Sequence, residues 1–161
     1  MTAIPATGDG AELYHTGIVV PDLGVAAERY ADLLGLQFAS VRRSVMSVRV
    51  DGVVREAELL VTYTMTGPPY LELIEEVSGS VWGTTNLGLN HIGFYAHDLA
   101  TARRRLEDAG LPARVHDNGT GGDPHRFTYH PMDGGMWVEL VTTGFRAELD
   151  AWITRSRTAA P

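Results

Sequence analysis

Two histidines and two glutamates carry the chemistry open to this sequence. His15 and His91 each begin a His-x-Gly tripeptide, and Glu72 and Glu139 each sit inside an apolar run, YLELIE and WVELVT. Imidazole nitrogen and carboxylate oxygen are ligands for a divalent first-row ion. The chain has no cysteine, so any metal must be held by nitrogen and oxygen alone. Such a donor set suits Zn, Ni, Co, Mn or Fe and does not choose among them. A carboxylate flanked by leucines is costly to bury as an unpaired ion, so each glutamate needs a metal, a cation or strong hydrogen bonds. Taken singly, each of the four is an ordinary strand residue; their recurrence at matched positions makes them candidates for one site.

That recurrence shows the elements that must position them. YHTGIVVPDLGVAAERYADLLGL and NHIGFYAHDLATARRRLEDAGL follow one plan. Each opens as an apolar strand, reaches Asp22 or Asp98 where a helix N-cap is wanted, runs on as an amphipathic helix, and stops at Gly35 or Gly110. Strand-forming stretches follow over residues 38–50 and 55–65 in the first copy, and over 114–116 and 126–130 in the second. Each copy therefore reads βαβββ, and the fold class is α+β: two βαβββ modules forming curved mixed sheets around a metal-binding cleft. Module one covers 12–78 and module two 88–143, together a single domain over 12–143. Residues 1–11 are read as a flexible N-terminus and 144–161 as a C-terminal helix, centred on 145–155, with a frayed tail.

Strand alternation assigns the faces. Glu72 shares a face with Tyr70 and Ile74 while Leu71 and Leu73 turn to the helix; Glu139 shares one with Trp137 and Val141 while Val138 and Leu140 turn away. His15 and His91 belong to the same inward sets as Gly17 and Gly93. Tyr70, Tyr95 and Trp137 share the ligands' faces and are expected to form an aromatic, substrate-binding lining. His130, before a Pro and a Gly-rich turn, reads as a turn residue.

Composition excludes several functions. Acidic residues outnumber basic ones, 20 to 13, for a net charge of −7, the wrong sign for general binding to nucleic acid. Arg42–Arg43 and Arg103–Arg105 read as solvated faces. No apolar run approaches the roughly 20 residues of a membrane span, and the opening MTAIPATGDG lacks the basic and apolar regions of a signal peptide, so no membrane partner and a cytoplasmic location are expected.

HTGIVVPDL with ELIEE, then NHIGFYAHDL with HPMDGGMWVELV, resemble the glyoxalase, bleomycin-resistance and dioxygenase (vicinal oxygen chelate, VOC) superfamily over roughly residues 12–143. The resemblance implies one divalent metal ion bound by one His and one Glu from each module, here His15, Glu72, His91 and Glu139, and a homodimer. NHIGFYAHDL and HPMDGGMWVEL are similar to methylmalonyl-CoA epimerase and its relatives, and the His/Glu/His/Glu order is similar to glyoxalase I. The epimerases carry a further glutamate on the third strand, for which Glu56 and Glu58 are the nearby candidates. Where glyoxalase I holds glutathione with an Arg and an Asn, this chain has Val19 and Glu76, which points away from glutathione adducts. The implied function is a metal-dependent isomerase, epimerase or lyase. It would chelate a small-molecule substrate through adjacent oxygens, and Glu139 or Glu72 would remove a proton next to a carbonyl. Two alternatives stand beside it: an Fe(II)-type oxygenase, and a non-catalytic small-molecule binding or resistance protein.

Overall fold

The computed structural model describes residues 11–86 and 88–159, with the side chains of Asn86 and Leu89 left out. The expected flexible N-terminus therefore lies, apart from Ala11, outside the described residues. The chain runs β1 (Glu12–Val20), α1 (Leu23–Leu34), β2 (Arg42–Val50), β3 (Val53–Tyr63), β4 (Tyr70–Glu75), β5 (Gly88–Ala96), α2 (Leu99–Asp108), β6 (Val115–Asp117), β7 (Phe127–Pro131), β8 (Trp137–Thr142) and α3 (Gly144–Ala159). The βαβββ order thus appears twice, followed by one terminal helix.

Local chemistry sets the helix ends. The Asp22 carboxylate accepts the Val25 N–H at 2.9 Å and the Asp98 carboxylate accepts that of Thr101 at 3.0 Å. Gly35 ends α1 in the left-handed region at φ 67°, where a side chain would be strained. Leu71 and Leu73 pack under α1 with Leu23, and Val138 and Leu140 pack under α2 with Leu99, which leaves the opposite strand faces to form the interior.

The strands lie in the order β1-β4-β3-β2-β6-β7-β8-β5 and close into a barrel. β1 pairs parallel with β4 and β5 with β8, while the antiparallel β1–β5 pair joins the modules. On the far side β2 meets β6 through Val48–Val50 only. This closure turns the expected cleft between two sheets into a barrel interior. The start of β2, from Arg42 to Met46, keeps β3 as its one ladder partner.

α3 crosses the barrel end from which β1, β2, β4 and β7 start. It buries Leu149, Trp152 and Ile153 in the main core. The Trp152 indole N–H donates to the Ser40 carbonyl at 2.9 Å, and the Ser156 hydroxyl accepts the Ser40 N–H at 2.9 Å. With both its backbone groups held by α3, Ser40 cannot extend the β2 ladder, so the strand begins at Arg42 rather than Phe38. The helix continues to Ala159, beyond the expected 155 and into the stretch read as tail. Among the described residues no helix is long and apolar enough to cross a membrane.

Candidate metal centre

The centre is built on the β1–β5 pair. In that register Gly17 faces His91 and His15 faces Gly93. A Cβ on Gly17 would lie 2.0 Å from the His91 ring, and one on Gly93 would lie 1.9 Å from the His15 ring. Each His-x-Gly thus supplies one imidazole and the gap into which the opposite imidazole fits. Both rings are fully buried. Glu72 stands beside Gly17 on the parallel neighbour β4, and Glu139 stands beside Gly93 on β8, so the four expected residues meet inside the barrel.

His15 Nε2 and His91 Nε2 are 2.7 Å apart. A Glu72 oxygen lies 3.1 Å from each of them, and a Glu139 oxygen lies 3.3 Å from His15 and 3.6 Å from His91. Two donors each about 2.1 Å from an ion and at right angles lie about 3.0 Å apart, and the five spacings bracket that value. His91 is also held in the tautomer a ligand needs. Its Nδ1–H donates to Asn90 Oδ1 at 2.9 Å, and the Asn90 amide is oriented by its own N–H to the Val81 carbonyl at 2.9 Å. That leaves the His91 Nε2 lone pair directed at the centre. His15, Glu72 and His91 fit a divalent ion, with one ligand atom from each lying within 4.8 Å of the others in a buried space, and Glu139 stands beside the two imidazoles but outside that set.

Replacing Asn90 with alanine releases the His91 ring without touching a ligand. Metal affinity, measured by competition with a chelating dye, is expected to fall about 10–100-fold. An affinity within twofold of the parent would show that Asn90 does not orient the ring.

The carboxylates have matched partners as well. Tyr63 on β3 lies across from Glu72, and Tyr129 on β7 lies across from Glu139. Tyr14 also stands near Glu139, and the charges of the two carboxylates act on all three phenols. Burial, then the two carboxylates, pushes all three phenols well above their usual pKa, so they stay neutral. Burial raises both carboxyls too, but with opposite net results. At Glu72 the His15 and His91 imidazoles outweigh burial and hold the group well below the usual carboxylate range. At Glu139 burial wins over His91, and with repulsion from Glu72 it lifts the group to about 7.

A proton on Glu139 competes with an ion. Apparent metal affinity should therefore be flat above pH 7 and fall towards tenfold per unit below it, with about one proton released per ion at pH 6. Calorimetric zinc titrations in buffers of different ionisation enthalpy measure this. Binding that is unchanged between pH 7 and 6 would contradict it.

A cavity of about 380 Å³ adjoins the centre. Glu72, Glu139 and the three tyrosines form its polar end, while Leu59, Val61, Ile74, Trp82 and Val141 are among its apolar walls. Tyr70, Tyr95 and Trp137, the expected aromatic lining, are not among its lining residues. Alternation gives a residue's face but not its height along the barrel or what stands in front of it. A register shift between Leu13 and His15 turns Tyr14 inward directly beside His15, and its ring stacks on Tyr95 at 3.9 Å, taking the place on the wall. Tyr70 lies at the start of β4 under α3, and Trp137 lies at the opposite barrel end, where Arg114 covers it at 6.0 Å. Glu56 and Glu58 are exposed on the outside of β3, Glu58 paired with Arg43 at 2.8 Å, so no third-strand carboxylate enters the cavity. His130 is no turn residue: it is buried in β7, with Nδ1 donating to the Leu111 carbonyl at 2.8 Å and Nε2 2.9 Å from the Thr128 hydroxyl.

Comparison with known proteins agrees with the fold. A crystal structure of methylmalonyl-CoA epimerase from Mycobacterium tuberculosis is 24% identical over 86% of this chain and 92% of its own, with a TM-score of 0.57. The Streptomyces coelicolor methylmalonyl-CoA epimerase, as a variant in complex with 2-nitronate-propionyl-CoA, is 20% identical over 81% and 93%, with a TM-score of 0.56. A hypothetical protein from Bacillus halodurans is 16% identical over 83% and 94%, with a TM-score of 0.54. No curated protein sequence matches. The model of the glyoxalase/bleomycin resistance protein/dioxygenase superfamily matches residues 14–129, more than half of the chain and ending before β8, and the chain belongs to that superfamily.

Proposed function

We propose that this protein is a metal-dependent isomerase, epimerase or lyase that begins by removing a proton next to a carbonyl. The observation that carries this reading is the meeting of His15, Glu72 and His91 within 4.8 Å, with Glu139 at 3.3 and 3.6 Å from the two imidazoles and both carboxylates on the wall of a cavity. A divalent ion held there would act as a Lewis acid on a substrate chelated through adjacent oxygens, lowering the cost of the negative charge left when the C–H proton departs. Tyr63 and Tyr129 pair across from the carboxylates, and the apolar part of the wall excludes water.

Glu139 is the proposed proton acceptor. It is the looser of the two carboxylates about the imidazoles, at 3.3 and 3.6 Å against 3.1 Å twice for Glu72, and it faces the cavity. With no carboxylate from β3 inside the barrel, Glu139 and Glu72 are the lining acids nearest the centre. Fold likeness to methylmalonyl-CoA epimerases agrees with an isomerase-type reaction, although the substrate need not be theirs.

The test is solvent exchange. The metal-loaded protein, incubated in D2O with a panel of small 2-oxo acids and acyl thioesters, is expected to exchange the acidic C–H of a recognised compound, seen as loss of its proton resonance. Turnover that consumes oxygen without exchange at that carbon would replace this reading with the oxygenase.

A further inference from the structure

We infer that the cavity takes a compact, largely apolar acid whose anionic group is received at the mouth by Arg42 and Arg126. The inference rests on the proposed metal centre only for which end of the ligand points inward.

The mouth follows from the strand pairing. The β2–β6 ladder covers only Val48–Val50, with one further bond from the Asn118 N–H to the Ser47 carbonyl, so the start of β2, from Arg42 to Met46, has β3 on one side and a break in the barrel wall on the other. Arg42 on one side of that break and Arg126, just before β7, on the other both line the cavity, and their side chains are 42% and 58% exposed. The cavity therefore reaches solvent between two guanidinium groups.

Both arginines are set in place. The Arg42 guanidinium lies over the Trp152 ring at 5.7 Å. The Arg126 backbone N–H is held at 2.9 Å by the buried Asp117 carboxylate, which also accepts the N–H groups of His125 and Phe127. Asp117 thus directs its charge at backbone amides. The remaining acid there is Glu148 on α3, shared by the pair at 3.2 Å from Arg126 and 4.0 Å from Arg42. The two half-exposed guanidinium groups thus face the mouth while one of the two nearby carboxylates, Asp117, is buried and turned onto backbone amides. Guanidinium groups placed in this way bind carboxylates through paired hydrogen bonds.

The inner end makes no similar demand, because a divalent ion with Glu72 and Glu139 is already neutral. Between the two ends the walls are mainly apolar, with Ser44, Ser47 and Asn118 as the neutral polar exceptions. A volume of about 380 Å³ encloses a small organic acid, whereas the nucleotide of a coenzyme A carrier would lie outside the mouth. The anionic group is assigned to the small molecule itself, and binding of free coenzyme A tests the carrier arm.

The experiment measures binding of 4-phenylbutanoate, 4-phenylbutan-1-ol and free coenzyme A by calorimetry, to metal-stripped and zinc-loaded protein. The metal-stripped parent should bind the acid at least about tenfold more tightly than the alcohol, as expected for hydrogen bonds to a charged group. The Arg42→Gln/Arg126→Gln double variant should lose that preference while still binding one zinc ion per chain. Glu148→Gln, which frees both guanidinium groups, should tighten acid binding at least about threefold. The inference is overturned if the parent binds acid and alcohol equally, if the preference survives in the double variant, if Glu148→Gln changes nothing, or if coenzyme A binds as tightly as the small acid. An acid preference present only in zinc-loaded protein would place the carboxylate on the ion and also overturn it. Failure to bind zinc, with the metal-stripped preference intact, would count against the metal centre alone.

Discussion

His91→Ala is expected to reduce affinity for a divalent ion by a factor on the order of 10² to 10³ and to remove turnover with it. A four-ligand site worth about 10–16 kcal/mol loses roughly a quarter of its donors. The gap left by the ring is buried and lined by Gly17 and Tyr129, neither of which replaces an imidazole lone pair. Metal content after dialysis, with a dye competition for affinity, gives the result. Folding of the metal-free variant should be affected less than its metal binding, since the core packs mainly on other residues. Unchanged metal content and affinity would show that His91 is a structural residue.

Gly93→Ala is expected to do comparable damage without removing any ligand. Its new Cβ would sit 1.9 Å from the His15 ring, far inside contact distance, and the fully buried ring has nowhere to retreat. Either β1 and β5 must part or His15 must leave the centre. We expect a loss of at least 1–3 kcal/mol of stability, typical of overpacking, together with metal affinity reduced by a factor on the order of 10² or more. Gly17→Ala, facing His91 at 2.0 Å, should behave alike. Gly24→Ala is the control: its Cβ would find its nearest neighbour at 3.5 Å in a helix, so stability should stay within about 1 kcal/mol of the parent and metal binding should be unchanged. Normal zinc binding by Gly93→Ala would contradict the interlocked arrangement of the two His-x-Gly segments.

That His15, Glu72, His91 and Glu139 come together was legible in the sequence because they recur at equivalent points of two copies, and strand alternation is enough to give their face. The helices were legible for a similar reason, since Asp22, Asp98 and Gly35 are local signals that need no tertiary partner. The purpose of Gly17 and Gly93 was not legible. It lies in the cross-strand register of β1 with β5, whose partners are far apart in the chain. Tyr63 and Tyr129 were missed on the same grounds. They precede their glutamates by nine and ten residues, and only the loops after β3 and β7 determine that each phenol meets its carboxylate. Tyr70, Tyr95 and Trp137 misled because a common face says nothing of depth, and the shift at Leu13 put Tyr14 in their place. Barrel closure rests on a three-residue strand, β6, too short for its pairing to be foreseen.

The central claim is that His15, Glu72, His91 and Glu139 together hold one divalent ion. X-ray absorption at the metal edge of protein loaded with zinc tests it most directly. The account predicts one ion per chain, a shell of nitrogen and oxygen alone at about 2.0–2.2 Å, and outer-shell scattering from two imidazoles that drops to one in His91→Ala. Scattering from no imidazole or a single one in the parent protein, or a spectrum unaltered by His91→Ala, would contradict it.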